Sequence, residues 1–117
     1  MPSPDNPGRL RNEISAAIVR LHSDHYGRGA VRARTHIADD LVVCVLGDVL
    51  TPAELTLLAA GEEHAVREVR MRFSRAMRER FREAVEDLLG RRVRSVFSDV
   101  DCASNEAIEV FVLEPAA

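Results

Sequence analysis

The chain lacks lysine and tryptophan and has few aromatic residues: its 117 residues include one Tyr and four Phe, and all 16 basic residues are Arg. A core without Trp has to be built mainly from Val, Leu, Ile and Ala. Because every basic group is a guanidinium, any site for an anion would rely on the planar donor fork of Arg. With 46% hydrophobic residues, the chain is apolar and long enough for one domain with its own core.

Long apolar runs and cysteine motifs are also absent. No stretch reaches the roughly 18 apolar residues that a membrane span requires. The N-terminal segment MPSPDNPG is polar and proline-rich, so we expect residues 1–8 to form a disordered tail ahead of a single domain at residues 9–114. Cys44 and Cys102 belong to no CxxC pair, which favours a reduced, cytoplasmic chain.

Several functional classes lack their sequence signatures. The phosphate loop, the nucleophile elbow and the dinucleotide fingerprint are missing, so we expect neither an enzyme nor a bound cofactor. His22 and His25 have helical spacing but no third ligand nearby. Asp99, Asp101 and Cys102 have the composition of a turn, and we expect no metal site. The net charge of −3 argues against general binding of nucleic acid.

The longest regular stretch, Glu62–Leu89, contains neither Gly nor Pro and is predicted to form one amphipathic helix. At 1.5 Å per residue it would be roughly 40 Å long. Its charged face alternates Arg and Glu at three- and four-residue spacing, which is typical of a solvated face that neutralises itself. The predicted apolar stripe comprises Val66, Val69, Phe73, Ala76, Met77, Phe81, Ala84 and Leu88. We expect Phe73, Met77 and Phe81 to be buried against Val43, Val45, Phe97 and the strand 108–112.

The other segments predict two more helices and four strands. Val31–Ile37 alternates between an apolar and a basic face, whereas Leu41–Leu46 is a continuous apolar run and is expected to be buried throughout. Thr51, Pro52 and Glu54 have the pattern of a capping box. The remaining predicted elements are a helix at Gly8–His25, with Leu10, Ile14, Ala17, Ile18, Leu21 and His25 on its apolar stripe, a short helix at Pro52–Ala60, a strand in which Val93, Ser95 and Phe97 share a face, and a strand at Ala107–Leu113. The order α-β-β-α-α-β-β predicts a two-layer α+β fold with an antiparallel four-stranded sheet covered by helices.

A candidate anion site follows the first helix. Gly27 and Gly29 bracket Arg28 and are free to adopt positive φ, so the turn would present one guanidinium. Arg32, Arg34 and His36 share one face of the next strand, where they would face the same ligand. The alternative is a solvated strand face whose charges a carboxylate on a neighbouring strand, such as Glu109, neutralises.

A candidate interface lies along the long helix. This helix is longer than a domain of this size needs, and Arg70 and Arg80 flank its apolar stripe. A charge at the edge of such a stripe either snorkels to water or meets a carboxylate, here one from a second subunit. We therefore expect a homodimer with Arg70, Phe73, Met77 and Arg80 at its interface.

Several segments resemble the MpsC-like domain, a small bacterial family named after a component of a sodium-translocating, membrane-potential-generating system. The matching stretches are 13–20, 26–29, 31–34, 40–43, 47–51, 66–70, 90–93 and 111–113, which extend over nearly the whole chain. Ala30 stands where the family pattern leads us to expect Pro. The resemblance implies an association with membrane transport and defines no catalytic activity.

Together these features predict a non-enzymatic cytoplasmic accessory or interaction protein. The resemblance implies a membrane ion or bicarbonate transport system as the partner. The alternative is a sensor or binding module that captures an anionic small molecule or nucleotide at the Arg-rich strand face. Binding of nucleic acid through the helix arginines is the least favoured hypothesis.

Overall fold

Two of three helices pack on one face of a four-stranded antiparallel sheet in the computed structural model, which describes residues 7–27 and 31–115. The predicted α+β class and element order are confirmed. The elements are α1 (Pro7–Tyr26), β1 (Arg32–Ala38), β2 (Leu41–Gly47), α2 (Pro52–Ala59), α3 (Glu63–Leu89), β3 (Val93–Asp101) and β4 (Glu106–Leu113). Helix α2 packs on α3, and α1 and α3 contact each other. Of the tail predicted at residues 1–8, Pro7 and Gly8 belong to α1 and residues 1–6 lie outside the described part.

Local signals set the helix ends as predicted. The backbone N–H of Glu54 donates to Thr51 Oγ1 at 3.1 Å, and the backbone N–H of Thr51 donates to Glu54 Oε1 at 2.9 Å, which completes the capping box of α2. Helix α3 ends at Gly90, whose φ of +66° is the left-handed conformation that favours glycine.

The strand order is β1-β2-β4-β3, with every neighbouring pair antiparallel. The inner face of the sheet, against α1 and α3, carries the core residues of β2 and β4, while the residues between them point away from the helices. The buried core comprises Ile14, Ile18, Val31, Val42, Cys44, Leu46, Val49, Leu50, Val66, Met77, Phe81, Val85, Val93, Val96, Val100, Cys102, Phe111 and Leu113.

Strand β2 corrects the prediction of a strand buried throughout. Val42, Cys44 and Leu46 are fully buried or nearly so, whereas Leu41 is 40% exposed and Val43 is half-buried on the other side. The physical reason is that α1 and α3 cover one face of the sheet, so an apolar residue on β2 is buried only when it points towards them.

Strand β3 also differs from the prediction. A register shift between Val93 and Ser95 places an irregularity at the start of the strand, after which Val96 and Val100 point inward and Phe97 points outward with 59% exposure. A bulge adds one residue and moves the following side chains to the opposite face. The predicted packing of Phe97 in the core was therefore wrong, as was that of Val43 and Val45.

The apolar stripes of the two long helices are shifted from those predicted. On α3 the buried residues are Val66, Arg70, Met77, Phe81 and Val85, the predicted Phe73 and Leu88 pack against the core, and Val69 is 51% exposed. On α1, His22 is buried and His25 is exposed. On each helix a polar residue, His22 or Arg70, lies in the interior, and the two contact each other there.

Candidate functional site

The turn predicted to bind an anion lies partly within the described residues. Gly27 follows α1 with a φ of +89°, the positive value that was predicted for it. Arg28 and Gly29 lie outside the described residues.

The strand part of the predicted anion site is exposed. Arg32, Arg34 and His36 lie on the face of β1 that points away from the helices, as the alternation predicted. Arg32 Nε donates to Asp48 Oδ2 at 2.9 Å, so its charge is shared with a carboxylate of the same chain. Within residues 7–27 and 31–115, Arg34 forms no ion pair. Arg34 is therefore the guanidinium of this strand whose charge remains available.

Two of the four residues predicted at the helix interface are not on the surface. Arg70 and Met77 are only 5% and 2% exposed, and both are buried within their own chain. The ring of Phe73 is edge-on to Tyr26, with centroids 4.5 Å apart. Arg80 is exposed. The prediction was thus wrong for Arg70 and Met77, because the carboxylate that receives Arg70 comes from α2 of the same chain and not from a second subunit.

An interior cluster forms around Arg70 and comprises His22, Tyr26, Glu54, Arg70 and Phe73. Arg70 makes a bidentate pair with Glu54, with Nε 2.9 Å from Oε2 and Nη2 2.7 Å from Oε1. Its Nη1 lies 3.0 Å from His22 Nε2, and its Nη2 also donates to the carbonyl of Val49. The guanidinium carbon stands 4.0 Å above the Tyr26 ring, whose hydroxyl donates to Glu54. The cluster joins α1, α2 and α3.

The pKa values of the cluster follow from burial and from its one cation. Burial and the Arg70 charge lower the pKa of His22 to about 4, so the ring is neutral at pH 7 and its Nε2 accepts from Arg70. Burial acts to raise the pKa of Glu54, but hydrogen bonds from Arg70, Tyr26 and the Thr51 backbone outweigh it and lower that pKa. Burial and the bond to Glu54 raise the pKa of Tyr26. At neutral pH the cluster thus holds one cation and one anion, which are paired with each other.

Sequence reasoning missed this cluster, although one signal was present. Glu54 was interpreted only as the third residue of a capping box, a role that it does fill. Arg70 was placed at the edge of the apolar stripe, whereas it lies in the middle of the line from Val66 to Met77. An Arg in the middle of a buried stripe requires an acid from another element, and Glu54 is the acid that α2 brings there.

A second buried carboxylate belongs to a residue of β4 itself. Glu109 is 6% exposed and accepts a hydrogen bond from the hydroxyl of Ser98 on β3. Burial raises the pKa of Glu109 to about 7, although the Ser98 bond acts in the opposite direction. Beside it, a cavity of about 20 Å³ reaches His22 and Arg70. A space of this size is far below the several hundred Å³ of a typical metabolite site.

The outer face of the sheet, which comprises the strand side chains that point away from the helices, has an apolar centre. Phe97 is 59% and Leu41 40% exposed, and the other apolar members are half-buried. These members are Leu41, Val43, Val45, Phe97, Ile108, Val110 and Val112. Its two edges carry opposite charges, with Arg32 and Arg34 on β1 and Asp99 and Asp101 on β3.

Two shallow grooves adjoin at one end of the outer face. One, of about 240 Å³, is lined by residues that include Arg32, Arg34 and Gly47. The other, of about 430 Å³, has Asp99, Asp101 and Arg67 among its lining residues. Val45 and Glu106 line both grooves. A groove with two Arg side chains and a groove with two Asp side chains therefore lie side by side on one surface.

Within the described residues, no three His, Cys, Asp or Glu side chains lie close enough together to hold a metal ion. Both cysteines are buried as free thiols. Burial raises the pKa of Cys44 to about 11, so its thiol stays protonated at neutral pH.

Comparison with known proteins places this chain in a family. The sequence profile that matches residues 6–115 is described as MpsC, Na⁺-translocating membrane potential-generating system. The chain belongs to the MpsC family. The resemblance seen in the sequence is thereby confirmed, and the name of the MpsC family points to a role in a sodium-translocating system.

Among curated proteins, this MpsC chain is similar to the uncharacterized protein YbcI of Bacillus subtilis (strain 168). The two are 28% identical over 107 residues, which is 91% of this chain and 86% of YbcI. No solved structure matches the chain. In the part of the MpsC chain that the structure describes, none of the helices has the length and apolar character to cross a membrane.

Proposed function

We propose that this MpsC-family protein is a non-enzymatic accessory protein of a membrane ion-transport system and that it acts by binding another protein chain through the outer face of its sheet. The observation that carries the proposal is the apolar centre of that face, where Phe97 is 59% exposed and the described helices provide no cover. Apolar area of this extent, rimmed by charges, is typical of a protein-binding surface.

The chemistry of the interior supports a role without catalysis. Arg70 and Glu54 neutralise each other and are inaccessible, and Tyr26 and His22 both bond to that pair. The Cys44 thiol is buried and protonated, which is the opposite of an activated nucleophile. The proposal places the protein in the cytoplasm, where buried free thiols persist without pairing.

The test is made in cells that depend on their own copy of this gene for the sodium gradient or the membrane potential. Val110→Asp puts a charge at the centre of the outer face and should abolish the contribution of the protein, while the purified variant keeps its helix content and a cooperative melting transition. Val69→Asp is the matched control, since Val69 is 51% exposed on α3, away from the sheet. If Val110→Asp supports the gradient as well as wild type does, the outer face is not the working surface.

A second candidate function is the binding of a small anion or nucleotide beside β1. A groove of about 440 Å³ runs between α1 and β1, and its lining includes Arg11, Asn12, Ser15, Arg34 and His36. Two guanidinium groups with amide and hydroxyl donors are suited to a phosphate. The sequence-based prediction adds Gly27, Arg28, Gly29 and Arg32 to this candidate, of which Arg28 and Gly29 lie outside the described residues.

Thermal shift with inorganic phosphate and with nucleotides tests this second candidate. Binding to the native state should raise the melting temperature in proportion to the logarithm of ligand concentration, and Arg11→Gln should remove the shift. Arg20→Gln is the control, because Arg20 is exposed on the same helix outside the groove. An equal shift in wild type and Arg11→Gln would place the anion elsewhere.

A further inference from the structure

The outer face is organised in rows that run across the sheet. The pairing register puts Arg34 beside Val45, Val45 beside Ile108, and Ile108 beside Asp99, so this row is basic at one end, apolar in the middle and acidic at the other. The other rows are Arg32, Gly47, Glu106 and Asp101; His36, Val43, Val110 and Phe97; and Ala38, Leu41, Val112 and Ser95. Two of the four rows thus have charges of opposite sign at their ends.

We propose that the outer face binds the outer face of a second copy of this chain, in a homodimer whose two-fold axis runs parallel to the strands, between β2 and β4. This inference rests on the proposed function, because it names the chain that covers the protein-binding surface. It also moves the predicted dimer from the long helix to the sheet.

The symmetry follows from the rows. A two-fold axis parallel to the strands keeps each row at its own level and reverses it, so β1 of one copy lies over β3 of the other, and β2 lies over β4. Arg34 then faces Asp99 of the second copy, while Val45 faces Ile108. At the other levels Arg32 faces Asp101, Val43 faces Val110, Leu41 faces Val112 and His36 faces Phe97. Each basic end meets an acidic end, and the apolar centre meets itself.

The other way to stack the same faces, with the axis perpendicular to the strands, lacks this complementarity. It would place β1 over β1 and β3 over β3, so the Arg34 edge would lie against the basic edge of its partner and the Asp99 edge against an acidic edge. Like charges brought together at an interface are unfavourable. Their repulsion destabilises a wrong arrangement by more free energy than opposite charges at the rim contribute to a correct one. The charge pattern therefore selects the axis parallel to the strands.

The twist of real sheets leaves the pairs within reach. Sheets packed face to face are rotated by about 30°, and an edge strand lies about 7 Å from the axis, so the rotation shifts the edges by about 4 Å, or roughly one residue. An Arg side chain spans this distance. Asp99 already has one cation near it, since Arg67 of its own chain lies 3.5 Å from its carboxylate. Its side chain is nevertheless 71% exposed, so a second cation can reach it.

The size of the face is consistent with a weak, reversible interface. Four strands about 4.8 Å apart and seven residues long at about 3.3 Å each cover roughly 440 Å² in plan, so two copies bury on the order of 900 Å² before the flanking Arg side chains are added. This area is at the lower end for specific protein interfaces, where complexes form and dissociate readily. We expect a reversible dimer with a dissociation constant on the order of 1 to 100 µM.

The decisive experiment is charge reversal followed by mixing, read by sedimentation velocity from about 1 µM to 1 mM protein. Arg34→Glu alone and Asp99→Arg alone each bring like charges together at both ends of the dimer and should raise the dissociation constant at least about a hundredfold. When the two variants are mixed, every like-charge contact is replaced by an opposite pair. The mixture should form a one-to-one heterodimer with an affinity within about tenfold of wild type.

Matched controls separate this geometry from a general effect of charge. Arg78→Glu makes the same change on the exposed side of α3 and should leave the dimer unchanged. Val110→Asp places a carboxylate at the apolar centre and should give a monomer that no charge-reversed variant rescues. Circular dichroism and melting curves establish that each variant is folded.

A wild-type chain that stays monomeric up to about 1 mM overturns the dimer. So does a dimer that Arg34→Glu and Asp99→Arg leave intact, or a mixture that stays monomeric. If the dimer fails in this way while Val110→Asp still abolishes the contribution to the sodium gradient, the face binds a different protein and the proposed function stands. If the dimer is found and Val110→Asp has no effect in cells, the proposed function is wrong and the dimer stands.

Discussion

The two faces of the sheet are made from similar residues but have different surroundings. On β2, Val42 and Cys44 are fully buried under the helices, while Val43 and Val45, one residue along, are half-buried on a face without such cover. The same contrast applies to charge, since the pair Arg70–Glu54 is buried and the pair Arg32–Asp48 is exposed. Composition therefore does not separate the face that stabilises the domain from the face that is available to a partner.

The largest expected difference between the faces concerns two phenylalanines. Phe81→Ala removes a ring that is 1% exposed and should lower the free energy of unfolding by about 3 to 5 kcal/mol. Phe97→Ala, on the outer face, should cost less than about 1 kcal/mol in dilute protein. Urea denaturation at about 0.1 µM, below the expected dissociation constant of the dimer, measures both. Equal losses would show that the outer face is covered within the monomer.

The next comparison sharpens the contrast between the two ion pairs. Arg70→Met leaves Glu54 buried without its cation and should cost at least about 3 kcal/mol. Arg32→Met breaks an exposed pair and should cost less than about 1 kcal/mol.

A double variant separates the lost charge pair from lost packing. Adding Glu54→Gln to Arg70→Met removes the unpaired charge and keeps an oxygen for the Thr51 N–H, so it should recover more than half of the loss. Costs that add up in the double variant would mean that Glu54 is solvated and that the cluster is less closed than its distances indicate.

A smaller effect, which depends on pH, separates two glutamates of β4. The pKa of Glu109 is raised from 4.5 to about 7 in the folded protein, so the folded state binds the proton more tightly than the unfolded state does. The contribution of Glu109 to the free energy of unfolding is therefore greatest below pH 4.5 and is lost as the pH rises through 7. Glu109→Gln should raise the free energy of unfolding by about 2 to 3 kcal/mol at pH 8 and leave it unchanged at pH 4.

The outer-face control is Glu106→Gln on the same strand, where the side chain is exposed. It should change stability by less than about 0.5 kcal/mol at either pH. Denaturant titrations across pH 4 to 8 read both variants on the same scale. A Glu109→Gln profile parallel to that of wild type would show that Glu109 is already ionised at low pH and reaches water.

The helix boundaries could be predicted because their signals are local. The capping box at Thr51 and Glu54 and the left-handed Gly90 lie within a few residues of the ends that they set. The exposed basic face of β1 was predicted for the same reason, since Arg32 and Arg34 differ from their neighbours at a period of two.

The candidate surfaces could be predicted only in part. Arg34 was placed correctly on an exposed strand face, but Asp99, which shares its row, and Asp101, which shares the row of Arg32, were assigned to a turn. The cause is β3, which extends to Asp101 and changes face at its start. No local sequence pattern predicts a bulge of this kind, because its position depends on how β3 pairs with β4.

By itself, the sequence determined the element order, the α+β class and the family of this protein, because periodicity, caps and turns act over a few residues and the family profile extends over residues 6–115. Only the tertiary structure decided which apolar residues are buried and which charges are paired. Arg70 contacts Glu54, which is 16 residues away in the sequence, and His22, which is 48 residues away. These long-range contacts depend on where α1 and α2 pack against α3, and the same packing leaves the other side of the sheet uncovered.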